Sequence, residues 1–213
     1  MNKSLFIFIL WNALFWCNYS FAQNQDFGIW TGIKVTKKIE KKASVFGEVQ
    51  VRTMHNVNTI ENIFFQVGGG YSFTKWYELG GAYRYSNWGD FDVNRFDIDN
   101  TFKFKKKKNN FALRLKYQKS FVTHKIKGYR LRIRFKYSYK LNKKFKPYFK
   151  AQYFYSNLYD FKNWHQQRYS IGAVVRLAKK NYVDIFYQIE NEFNVASPAT
   201  NFVLGLKYKL NYK

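Results

Sequence analysis

Hydrophobic and polar side chains alternate along almost the whole chain, most regularly over Tyr129–Leu141, YRLRIRFKYSYKL. Tyr129, Leu131, Ile133, Phe135, Tyr137, Tyr139 and Leu141 are apolar or aromatic. Arg130, Arg132, Arg134, Lys136, Ser138 and Lys140 stand between them. A strand sends successive side chains to opposite faces, so this stretch has one apolar face and one cationic face. A helix would mix both sets around its circumference. The run exceeds the ordinary globular strand of about 5–6 residues. It is long enough to cross a bilayer at a tilt, which takes about 9–11.

Ten further segments repeat the pattern: Phe27–Lys37, Ala43–Met54, Ile60–Phe73, Trp76–Ser86, Arg95–Lys105, Phe111–Phe121, Phe145–Ser156, Arg168–Leu177, Tyr182–Phe193 and Phe202–Tyr212. Several apolar faces carry aromatics at the ends and aliphatics between them, as in Phe202-Leu204-Leu206-Tyr208. Rings prefer the two membrane interfaces, so this is the pattern of aromatic girdles. Short lysine-rich turns such as KKIEKK and KKKNN alternate with longer polar connections, NWGDFDVN and Asn157–Gln167 among them. Outer-membrane barrels distinguish their periplasmic and external ends in this way. Gly68-Gly69-Gly70 predicts a bend or bulge, and Pro147 sits early in its strand, where proline is tolerated.

The fold expected is all-β, a single antiparallel up-and-down transmembrane β-barrel. Eleven segments is an odd number, and bacterial single-chain barrels are normally even with both termini in the periplasm. The expectation is therefore ten to twelve strands, with twelve favoured. Alternation alone also admits a soluble periplasmic barrel or sandwich with its apolar face turned inward. Strand length, aromatic ends and the terminal Leu-x-Tyr segment favour lipid outside.

The amino terminus agrees with export. Lys3 precedes an apolar run, Leu5–Trp16, and Ser20-Phe21-Ala22 places small residues where a signal peptidase reads. Residues 1–22 are expected to be a cleaved signal peptide and 23–213 the barrel. The apolar run falls short of the about 20 residues of a spanning helix. Trp16 stands where a lipoprotein signal needs a small residue. Cys17 is the single cysteine, so cleavage leaves neither disulfides nor cysteine-held metal.

Composition changes the picture in two ways. The negative mean hydropathy suits a barrel, because only every second strand residue meets lipid. Two prolines and an aromatic share of 22% suit a chain made mostly of strands. The formal charge is +24, or +23 once cleavage removes Lys3 and no acid. That excess suits outer-membrane lipid and lipopolysaccharide as partners. The export signal, and lysines spread along the sequence, argue against nucleic acid.

FALRLKYQKSF at 111–121 followed by YRLRIRFKYSYKLNKKFKPYFKAQYFY at 129–155 resembles an exported bacterial family known as domain of unknown function 2490. DFGIWTGIKVTKKI, GGAYRYS and NRFDIDNTF match its texture in the same order. The resemblance implies an outer-membrane barrel and brings no catalytic residues with it.

Chemistry concentrates on the polar face. Arg114, Arg130, Arg132 and Arg134 form a candidate cationic stripe in the lumen, with Asp97 and Asp99 as acidic partners on the preceding strand. Neighbouring antiparallel strands set such groups opposite one another. The arrangement reads either as a polar filling held by cross-strand ion pairs or as a stripe that attracts an anionic solute. The role expected is a narrow pore, a surface-binding protein or a structural barrel, with the soluble binding protein and a lipid hydrolase as alternatives. His55, His124 and His165 fall in predicted connections without metal spacing or a hydrolase motif. Glu190 and Glu192 share a face without a sugar cleft. No catalytic residue, cofactor or metal is expected.

Overall fold

The computed structural model describes residues 24–122, 125–158 and 161–212. The signal peptide expected over 1–22, and His124, lie outside the described residues. The chain forms β1 (Asn24–Lys38), β2 (Ala43–Met54), β3 (Thr59–Ser72), β4 (Tyr77–Asn87), β5 (Asp92–Lys106) and β6 (Asn109–Val122). It continues with β7 (Lys125–Tyr139), β8 (Phe145–Leu158), β9 (Phe161–Arg176), β10 (Asn181–Glu192) and β11 (Ala199–Tyr212). Consecutive strands pair antiparallel, and β1 closes the sheet by pairing with β11. Each of the eleven alternating segments of the sequence became one strand.

Closure corrects two expectations. Among the described residues the strands number eleven rather than twelve, and the sheet is mixed rather than wholly antiparallel. An odd number of strands leaves the first and last running the same way, so β1 and β11 pair in parallel from Asn24↔Ala199 to Lys37↔Tyr212. The pairing leaves no sheet edge exposed to lipid, where an unpaired backbone group costs several kcal/mol. It also places Asn24 and Tyr212 at opposite ends of the barrel.

The pleat sorts the side chains as the alternation requires. Ile33, Phe65, Ile98, Leu115, Ile133 and Leu206 are 39–54% exposed on the outer wall. Inside, Gln66, Asp97, Lys116, Gln118 and Gln188 are at most 5% exposed. The interior is polar and the exterior apolar, the inverse of a soluble protein. A barrel clothed this way is an outer-membrane protein, and the soluble reading, which needs the apolar face inside, is set aside. A 14-residue strand such as β8 is about 46 Å long and, tilted by about 40°, rises about 35 Å, more than the apolar band of about 25 Å.

The surplus length is not shared equally. Outward aromatics run up to the turns at the end that carries Tyr212, as Phe73, Trp76, Phe104 and Phe111 show. At the other end, β6 to β9 continue through the polar outward positions Lys119, Asn157 and Gln167. The long connections read from the sequence are therefore mostly hairpin: Asn157–Gln167 lies within β8 and β9 apart from 159–160. Alternation marks burial, and it fades where both faces of a hairpin meet water.

Two local readings also change. Gly68, Gly69 and Gly70 stay in register with β2 and β4, and the β2–β3 irregularity falls at Arg52/Thr53 instead. The glycines make room rather than a bend: a Cβ on Gly68 would lie 2.8 Å from the Phe46 ring. His165 is not in a loop but in β9, opposite a register shift at Phe154/Tyr155, and is buried. The start of β1 is tied to the β2–β3 turn, where the Asp26 carboxylate accepts the N–H groups of His55 (2.7 Å) and Asn56 (2.9 Å).

Placing a charge on the outer wall tests the pleat. Ile133→Arg is expected to destabilise the barrel by about 2–4 kcal/mol near the bilayer midplane, read from urea titration of folding into lipid vesicles.

Candidate functional site

Among the described residues, cavities of about 450 and 390 Å³ lie one beside the other in the lumen. The described residues lining the larger include twelve Lys or Arg against four Asp or Glu. Those lining the smaller include six against two. The cavities share five lining residues: Trp30, Arg52, Arg84, Arg132 and Arg168. These come from β1, β2, β4, β7 and β9, so four guanidinium groups and one indole converge at one level from around the wall.

Aromatic rings on the polar face hold these guanidiniums. Arg52 lies 3.9 Å from the Trp30 ring, its direct neighbour across β1 and β2. Arg84 stacks 3.6 Å from Phe64, which Arg52 also approaches at 5.2 Å. On the opposite wall Phe154 carries Arg168 at 4.6 Å and Arg132 at 5.7 Å. Such contacts contribute about 0.5–2 kcal/mol each and fix the guanidinium plane without neutralising its charge. Neutral partners complete the support: Gln66 Oε1 accepts the Arg84 Nε–H at 2.9 Å, and Arg168 donates to Gln166 at 3.2 Å. Among the four, Arg168 alone meets a carboxylate within 4 Å among the described residues, Glu190 at 3.0 Å.

One more ring shapes the lumen. Phe186 lies between Gly172 of β9 and Gly205 of β11. A Cβ on Gly205 would strike the ring itself, and one on Gly172 would come 2.7 Å from the Phe186 Cβ. The two glycines let the ring lie against the wall, where Lys150 approaches it at 4.7 Å.

The residues singled out from the sequence all face the lumen, in two different settings. Asp97 and Asp99 join a compact cluster. Lys116 Nζ lies 2.8 Å from Asp97 and 3.3 Å from Asp99, Arg95 Nε lies 2.9 Å from Asp97, and Arg114 reaches Asp99 at 3.9 Å. Arg114 sits opposite Arg134 in the ladder, and Lys116 opposite Arg132. Arg130, Arg132 and Arg134 have no carboxylate within 4 Å among the described residues; Arg130 donates to the Ser156 hydroxyl at 3.0 Å. The acids thus pair with Lys116 and Arg95 and leave the β7 arginine ladder cationic.

Arg52, Arg84 and Arg168 belong to the same constriction but lie on strands far apart in sequence. The signal that marks them is an aromatic residue on a polar face. Trp30, Phe64 and Phe154 each break the alternation, and each supports an arginine. Elsewhere in the lumen, Glu48 accepts Lys207 at 2.5 Å and Lys34 at 3.5 Å, and Asp184 accepts Lys209 at 2.5 Å and the Tyr148 hydroxyl at 2.7 Å. His55 Nδ1 lies 2.8 Å from the Thr59 hydroxyl. No group of three or more potential metal ligands occurs among the described residues.

The family model described as Protein of unknown function (DUF2490) matches residues 27–201. No curated protein matches the sequence. Among solved structures the chain is similar to a NanC porin at 11% identity and a TM-score of 0.53, covering 77% of this chain and 85% of that one. A KdgM porin aligns at 12% identity and 0.48, covering 75% and 81%. A KdgM porin in complex with disordered oligogalacturonate aligns at 12% and 0.49, covering 76% and 82%. The likeness to the NanC porin is one of fold.

Asp97 is the carboxylate that Arg95 and Lys116 share. Asp97→Asn is expected to lower stability by about 3 kcal/mol, the low end for breaking a buried ion pair. A reduced urea midpoint, with the native gel mobility of the unheated barrel retained, is the measurement that checks it.

Proposed function

This chain belongs to the family described as Protein of unknown function (DUF2490), and on that footing we propose that it is a narrow outer-membrane pore selective for small anions. The family brings no assigned role, so the role is argued from the lumen. The observation that carries it is the constriction at Trp30, Arg52, Arg84, Arg132 and Arg168, where the two lumen cavities meet.

Converging guanidiniums repel one another, and an anion passing among them relieves that repulsion. Rings orient the arginines from one side, so the remaining N–H groups are available to a carboxylate or phosphate, which a guanidinium binds in a bidentate fork. A cationic lumen inside a low-dielectric wall also raises the local concentration of anions, by about tenfold to a thousandfold in comparable clefts. The ladder Arg130, Arg132, Arg134 and Lys136 on β7 continues the favourable potential to either side of the constriction. No bond is made or broken in this reading, and it assigns no catalytic residue.

The second reading is a structural barrel filled by its own side chains. The cluster of Asp97, Asp99, Arg95 and Lys116 favours it, because there the charges satisfy one another.

Reversal potentials of the purified protein in planar bilayers under a potassium chloride gradient separate the two. The pore reading expects anion preference, and expects the Arg52→Gln/Arg84→Gln/Arg132→Gln variant to lower the anion-to-cation permeability ratio by about tenfold. A barrel that conducts no ions, or prefers cations, would overturn it.

A further inference from the structure

The lysines of the turns, scattered along the sequence, gather in space. Every second connection falls at the same end of the barrel, and the five connections at the Tyr212 end (39–42, 73–76, 107–108, 140–144 and 177–180) contain ten lysines and one glutamate. The three described connections at the other end, 55–58, 88–91 and 193–198, contain neither lysine nor arginine. The topology turns a dispersed composition into one cationic rim.

The rim meets the lipid-facing wall in a groove of about 930 Å³ between the β1–β2 turn, the β3–β4 turn and the β5–β6 hairpin. Its apolar side is Phe73, Trp76, Phe104 and Phe111, 40–59% exposed. The rings continue along the wall, with Phe73 stacked 5.7 Å from Tyr77 and Tyr77 5.3 Å from Phe102. Its polar lip is Lys41, Lys42, Lys75, Lys105 and Lys106, all exposed, with no carboxylate within 4 Å among the described residues. Lysines above and rings below, at the depth where a strand leaves the membrane, match an amphiphile with an anionic head and acyl chains.

We propose that this groove holds an anionic glycerophospholipid of the periplasmic leaflet, its phosphate on the lysine lip and its acyl chains along Phe73, Trp76, Phe104 and Phe111. The leaflet follows from the offset of the apolar belt. At the lysine end the aromatic belt runs up to the connections, whereas at the other end β6 to β9 continue past it through polar outward positions, and in outer-membrane barrels the end that projects least faces the periplasm. The assignment does not depend on whether the lumen conducts.

Native mass spectrometry of the full barrel, released from micelles containing equal phosphatidylglycerol and phosphatidylcholine, tests the site. The protein is expected to retain phosphatidylglycerol preferentially. Lys41→Glu/Lys75→Glu/Lys105→Glu is expected to lose that preference, by about fivefold or more per lysine, the equivalent of about 1 kcal/mol for each charge. Lys143→Glu/Lys144→Glu/Lys179→Glu makes the same charge change on the same rim outside the groove and is expected to keep it. Unheated gel mobility reports that each variant folds, and ion selectivity is read separately, so loss of lipid is distinguishable from loss of the pore. Asn142→Cys is expected to react with a membrane-impermeant maleimide only after the outer membrane is permeabilised. Equal retention of the two lipids, equal loss in both triple variants, displacement of phosphatidylglycerol by a bisphosphorylated glycolipid, or labelling of Asn142→Cys in intact cells would each overturn the proposal.

Discussion

In hydrocarbon there is no water to satisfy a backbone N–H or C=O, so a sheet that enters a membrane must pair every edge it has. The closing seam between β1 and β11 is where this protein meets that demand, over fourteen paired positions from Asn24↔Ala199 to Lys37↔Tyr212. Everything else follows from the closure. A closed sheet has an inside and an outside, the pleat assigns alternate residues to each, and lipid takes the apolar set. The charged set is left facing inward, where its groups must find partners, water or passing ions.

The interior answers in two ways. In the Asp97, Asp99, Arg95 and Lys116 cluster, opposite charges on neighbouring strands neutralise one another, and the wall there is held electrostatically. At the constriction, Phe64, Phe154 and Trp30 take the place of carboxylates as partners of Arg52, Arg84 and Arg132, while Arg168 has both the Phe154 ring and Glu190. A ring positions a guanidinium and leaves its charge in place. The first solution builds a wall and the second builds a selective surface, and the two lie within one lumen.

The same topology organises the ends. An up-and-down path delivers every second turn to one rim, so turns that are merely basic one by one become collectively a cationic collar. The parallel seam adds a further asymmetry, because it sends the two ends of the described chain to opposite faces of the barrel.

Much of this was legible in the amino-acid order. Alternation over Tyr129–Leu141 and its ten counterparts located the eleven segments that form strands and divided each into an apolar and a polar face, because period-2 hydrophobicity is the direct imprint of a sheet with unlike surroundings on its two sides. It also placed Asp97, Asp99, Arg114, Arg130, Arg132 and Arg134 inside. Sequence parity could not decide the strand count, since counting segments says nothing of whether β1 meets β11 in parallel. Nor could it extend β8 and β9 through Asn157–Gln167, where Leu158, Phe161 and Trp164 do not keep a period of two and the register shifts at Phe154/Tyr155. The convergence of Arg52, Arg84, Arg132 and Arg168, and the gathering of the turn lysines on one rim, belong to the tertiary structure alone. Barrel curvature and strand tilt set which distant residues share a level, and no periodicity along a single strand carries that information.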